Sequence, residues 1–163
     1  MRVSVIGGST VTDEQYATAR DLGRLLGERG HEVVCGGLTG VMEAVCRGAR
    51  ETGGHTIGIL PSADRSTANA YVDTPVATGI GYARNALVVK NGDSVVAVDG
   101  STGTLSELAF ALDVGAPIAG LDHGRRVTPG PGRHSPPRVT AVFRVRSGHV
   151  PRSFRHWLTV LPA

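Results

Sequence analysis

The feature that most constrains this chain is an alternation. Over the first 120 residues, short β-branched runs alternate with amphipathic runs, and three of the β-branched runs end in glycine-rich turns. Continuous apolar runs read as strands buried on both faces, and strands separated by helical runs specify a parallel sheet with crossover helices. The expected strands are Arg2–Ile6 (RVSVI), Glu32–Cys35 (EVVC), His55–Leu60 (HTIGIL), Ser94–Val98 (SVVAV) and Pro117–Leu121 (PIAGL), with a shorter one at Val76–Thr78. The expected helices after the first are Val41–Thr52, Ala83–Lys90 and Leu105–Val114. The fold class is therefore α/β: three layers, a mainly parallel sheet with helices on both faces.

The first helix has a defined start and stop. Thr12 as N-cap and Gln15 three residues on form a capping box. Tyr16, Ala19, Leu22 and Leu26 recur at helical spacing, and Gly30 closes the helix in a left-handed cap. Pro61–Pro75 is polar and bounded by prolines, so it is expected as a loop or irregular lid. Aromatic residues make up only 4% of the chain, so the core of a single 163-residue domain must be aliphatic. Cys35 and Cys46 fit neither a disulfide framework nor paired zinc ligands, and read as small buried hydrophobes. No apolar run is long enough to span a membrane and no secretory signal opens the chain, so a soluble cytoplasmic protein is expected.

Past residue 121 the alternation stops. Residues 1–122 hold all 14 acidic side chains, whereas residues 123–163 hold eight arginines, no lysine and no acid. Residues 122–163 thus form an Arg/Pro-rich basic tail, for which three readings stay open. It is an arm for nucleic acid, a stretch translated from a shifted frame and poorly ordered, or an unusual folded element. Only Phe143, Phe154 and Trp157 interleave the charge, a weak stacking platform, so nucleic acid is not expected except through this tail. Its histidines are too irregularly spaced for a metal site, and none is expected.

Three glycine-rich turns carry the functional signal: Gly7–Thr10, Gly36–Gly40 and Gly100–Thr104. In an open parallel sheet, strand-to-helix turns lie at the carboxyl edge, where helix N-termini favour anions. There is no GxxxxGK[ST] loop, no GxGxxG after the first strand and no GxSxG elbow. A phosphate-bearing small molecule is the expected partner. Glu107 has two readings from local spacing: the last residue of a T-x-x-E capping box begun by Thr104, or a functional carboxylate. Arg84, in GIGYARN, is either a surface residue or a cation facing the ligand edge.

The order VSVIGGST, EVVCGGLTGVMEAVCRGARETGGHTIGILP, GIGYARNALVV, DGSTGTLSE resembles the LOG-type Rossmann family, long mislabelled lysine decarboxylases, over residues 1–121. The short members similar to molybdenum-cofactor carrier proteins share its A-R-N triplet. The resemblance implies a Rossmann-like nucleotide-binding domain, a homodimer, and a nucleoside monophosphate or phosphate-bearing cofactor as ligand, with no further cofactor required. It implies ligand contacts at Gly7, Gly8 and Ser9, at Gly36, Gly37 and Met42, and at Gly100, Ser101, Thr102, Gly103 and Thr104. It also implies Glu107 and Arg84 as the catalytic pair of a nucleoside 5′-monophosphate phosphoribohydrolase. The alternative is a non-catalytic carrier. The chain departs from the family pattern at Asp99, where the family has proline, at Ser101 for the second glycine, and at Asn85 for a lysine.

Overall fold

The computed structural model describes residues 1–100, 102–122, 139–144, 150, 152–157 and 159. Seven strands form one sheet: β1 (Arg2–Gly7), β2 (Glu32–Cys35), β3 (Thr56–Leu60), β4 (Thr74–Ala77), β5 (Ser94–Val98), β6 (Ile118–Asp122) and β7 (Val139–Arg144). Their order is β4-β3-β2-β1-β5-β6-β7 and every pairing is parallel. The helices are α1 (Asp13–Glu28), α2 (Val41–Glu51), α3 (Asn85–Lys90), α4 (Thr102–Asp113) and α5 (Arg152–Trp157).

Side-chain alternation sorts the core into two layers. Val3 and Val5 of β1, Val33 and Cys35 of β2, Val96 and Val98 of β5, and Ala119 and Leu121 of β6 pack with α1, α2 and α5. The intervening residues Ile6, Val34, Val95 and Ile118 pack with Val88 and Val89 of α3 and Ala111 of α4. Ser4 falls on this second face, and its buried hydroxyl donates to the Val88 carbonyl at 2.7 Å, tying β1 to α3.

The first helix follows the sequence reading. Thr12 Oγ1 accepts from the Gln15 backbone N–H, and Gln15 Oε1 accepts from the Thr12 N–H at 2.8 Å. At the far end Gly30 sits at φ 71°, with its N–H on the Gly27 carbonyl and the His31 N–H on the Leu26 carbonyl. These two bonds are a Schellman closure. Helices α1 and α2 meet backbone to backbone: a Cβ on Gly23 would lie 2.1 Å from the Val45 carbonyl oxygen, and one on Gly48 2.0 Å from that of Arg20.

Four expectations are corrected. The short strand begins at Thr74 rather than Val76, because β4 is an edge strand and tolerates Pro75. The segment expected as a helix from Ala83 opens instead with a 3-10 turn, Gly81–Arg84, and becomes α-helical at Asn85. The fourth helix starts at Thr102 rather than Leu105. Finally, the alternation continues beyond Leu121. β7 pairs with the free edge of β6, and α5 buries Phe154 and Trp157 in the α1 layer, their rings 5.5 Å apart. The Asp21 carboxylate fastens this end by accepting from the Val150 N–H at 2.8 Å. The GRRVTPGPGRHSPPR segment, on which the readings of the tail chiefly turn, lies outside the described residues.

Candidate functional site

The sheet order reverses direction between β1 and β5, which stay paired to Gly7 and Val98, so the connections after them leave for opposite faces and open a crevice at this switch point. The turn after β1 and the turn after β5 form its two walls. A cavity of about 450 Å³ opens there. Its walls include Gly7, Gly8 and Ser9 from the first turn, Gly36 and Met42 from the second, and Thr102, Gly103, Thr104 and Glu107 from α4. Arg84 and Asn85 close the side nearest α3.

Two implied contacts fall elsewhere. Gly37, at φ 73°, turns against the Leu60 side chain and lines neither cavity at this edge. Gly100 lines a smaller neighbouring cleft, and Ser101 lies outside the described residues. Leu38 and Tyr82 also line the main cavity, and sequence reasoning missed both. Tyr82 is 85% exposed; its one signal was its place two residues before Arg84.

The three glycine turns are not equivalent. The Val41 N–H, first of α2, donates to the Gly8 carbonyl at 3.0 Å. Gly40, at φ 67°, leaves room for that carbonyl, which a Cβ would approach to 2.4 Å. The first two turns therefore lock onto each other. The third differs, because Thr102, Gly103 and Thr104 are both the first turn of α4 and a wall of the cavity. First-turn N–H groups have no partner within their own helix, and the dipole there favours an anion.

The early start of α4 also removes one of the two readings of Glu107. Thr104 is the third helical residue, so it is not an N-cap and the T-x-x-E capping box does not form. Glu107, only 7% exposed, instead places Oε1 3.4 Å from Nη1 of Arg84, which is equally buried. Arg84 reaches this position because residue 36 is glycine: a Cβ there would come within 2.5 Å of Nη1. Burial pushes the Glu107 carboxyl up to about 7, against the opposing pull of Arg84. Burial lowers the Arg84 pKa as well, with the Glu107 charge working against it. Arg84 Nε is buried without a hydrogen-bond partner among the described residues. Beside the pair, the Asn85 side-chain amide donates to Ser106 Oγ at 2.9 Å, and Ser106 donates to the Gly103 carbonyl at 2.7 Å. The departure from lysine at position 85 thus supplies a neutral strut between α3 and α4.

Cys35 and Cys46 are buried with their sulfurs 3.5 Å apart. The Cys46 contact lowers the Cys35 thiol pKa and raises that of Cys46. Among the described residues, no group of three or more His, Cys, Asp or Glu side chains is placed to hold a metal ion. No helix among them is long and apolar enough to cross a membrane.

Comparison with known proteins agrees with this architecture. The sequence profile of the SLOG cluster4 family matches residues 1–145. An uncharacterized protein of Archaeoglobus fulgidus is 40% identical over 121 residues, covering 74% of this chain and 80% of that protein. The cytokinin riboside 5′-monophosphate phosphoribohydrolase of Arabidopsis thaliana is 32% identical over 106 residues; the match covers 63% of this chain and under half, 46%, of the plant enzyme. Among solved structures, the molybdenum cofactor binding protein of Rippkaea orientalis superimposes with a TM-score of 0.72 at 38% identity. That match covers 74% of this chain and 75% of the other.

Proposed function

This chain belongs to the SLOG cluster4 family, and from that premise we propose that its cavity binds a nucleoside 5′-monophosphate and cleaves the N-glycosidic bond. The observation that carries the reading is the buried Glu107–Arg84 pair facing the same cavity as the α4 N-terminus. The helix terminus anchors the phosphate, which fixes the sugar relative to Glu107. As the bond from C1′ to the base nitrogen breaks, its electron pair leaves with the base and positive charge develops on the sugar. The Glu107 carboxylate stabilises that charge and takes a proton from the water that adds to C1′, and the departing base gains that proton in turn, leaving free base, ribose 5-phosphate and the carboxylate restored. A carboxyl titrating at about 7 is about half in its basic form at neutral pH, and that form is a far better proton acceptor than an exposed glutamate. Arg84 holds the carboxylate in place and offsets its charge in the resting state.

A second reading is favoured by the likeness to the Rippkaea orientalis protein: carriage of a phosphate-bearing cofactor in the same cavity without turnover. Incubation with AMP, following free adenine and ribose 5-phosphate, separates the two. The enzyme reading expects adenine release by the wild type, loss of release in Glu107→Gln, and retained AMP binding in that variant. Saturable AMP binding with no release by the wild type overturns it in favour of carriage.

A further inference from the structure

Beside the main cavity lies a cleft of about 270 Å³ between the first turn, the start of α1 and the end of β5. Gly8 and Ser9 line both spaces. The cleft thus adjoins the main cavity, and neither Glu107 nor Arg84 lines it. A monoester held at α4 with its sugar over Glu107 does not fill it.

The chemistry of the cleft is set by Asp99. This residue has φ 48°, the one non-glycine residue with positive φ among those described. Asn and Asp adopt that conformation more readily than other side chains. Its carboxylate is fixed from two directions. Oδ1 accepts from the Gly100 N–H at 2.6 Å, and Oδ2 accepts from the Gln15 side-chain amide. Gln15 is itself immobilised, because its Oε1 is engaged by the Thr12 N–H in the capping box. The result is an acceptor-only group, held in a set orientation, with lone pairs left over. Among the described residues no Arg, Lys or His lines the cleft, and Asp99 is its one acidic side chain. The hydroxyls of Ser9 and Thr10 complete a small polar surface suited to a polyol.

We propose that this cleft is a second subsite, in which Asp99 accepts hydrogen bonds from the hydroxyls of a polyol joined to the ligand through its phosphate. The ligand class is then a nucleotide with arms on both sides of the phosphate, such as a nucleoside diphosphate sugar, rather than a bare mono- or diphosphate. The inference rests on the reading that the main cavity holds a phosphate-bearing nucleotide.

The test compares AMP, ADP and ADP-glucose by titration calorimetry on the wild type and on Asp99→Asn. Asparagine keeps the left-handed backbone, and thermal melting followed by circular dichroism checks that the fold is retained. Hydroxyl donation to a carboxylate is worth about tenfold in affinity. The wild type should therefore bind ADP-glucose about tenfold or more tighter than ADP. In Asp99→Asn the ratio should fall to within about twofold of unity, with AMP affinity changed by less than about threefold. A ratio in the variant equal to that in the wild type, or a wild-type ratio at or below one, overturns the subsite. If Asp99→Asn does not fold, Gln15→Ala, which releases the carboxylate without removing it, should lower the ratio instead. Failure of the wild type to bind AMP removes the nucleotide reading itself, and the subsite with it.

Discussion

Replacing Glu107 by glutamine should change how stability depends on pH. Burial carries the Glu107 carboxyl from an ordinary value of 4.5 to about 7. The folded state holds this proton more tightly than the unfolded chain does. The resulting stabilisation is fully present below pH 4.5 and is lost as pH rises through 7. Each pKa unit corresponds to about 1.36 kcal/mol. Integrated from pH 5 to pH 8, the wild type should lose about 2.5 kcal/mol through this one group. Glutamine fills the same volume and does not titrate, so the variant lacks that loss. It also leaves Arg84 without its anion, a cost that does not vary across this pH range because arginine stays protonated. The quantity to measure is therefore the difference in unfolding free energy between variant and wild type, by urea titration at pH 5, 6, 7 and 8. Trp157, buried against Phe154, serves as the fluorescent probe. The variant should gain about 2–3 kcal/mol on the wild type across the window. A difference constant to within about 0.5 kcal/mol would refute the claim that burial governs this carboxyl.

Gly36→Ala should displace the Arg84 guanidinium, which would otherwise lie 2.5 Å from the new methyl, and should reduce AMP cleavage more than AMP binding in steady-state and calorimetric assays. Gly23→Ala puts a methyl 2.1 Å from the Val45 carbonyl, so α1 and α2 must separate. A loss of about 3 kcal/mol or more is expected in urea unfolding, as for other overpacked or strained core sites.

Much of the fold could be read from the sequence because the signals were local. The Thr12–Gln15 capping box and the Gly30 closure needed only neighbouring residues, and both are present as expected. Asp99 could be read as a departure, but its geometry could not, since Gln15 approaches it from another element. Glu107 was ambiguous for the same reason. T-x-x-E spacing satisfies a capping box and a buried carboxylate equally, and only the start of α4 at Thr102 separates them. That start was hidden because Gly100–Thr104 is rich in turn-forming residues of low helix propensity. The strand β7 was hidden by its surroundings. VTAVFR alone is β-branched, yet it sits in a stretch dominated by arginine and proline.

The contact of Gly23 and Gly48 has a mechanical consequence. With two backbones touching, α1 and α2 cannot slide past one another, so they and the two turns at their N-termini behave as one stiff jaw. The third turn belongs to α4, on the opposite side of the sheet. Any molecule that touches both Gly8 and Gly103 is a cross-brace between the two jaws, so occupancy should register as a loss of motion between the helical layers rather than as a change in the shape of either.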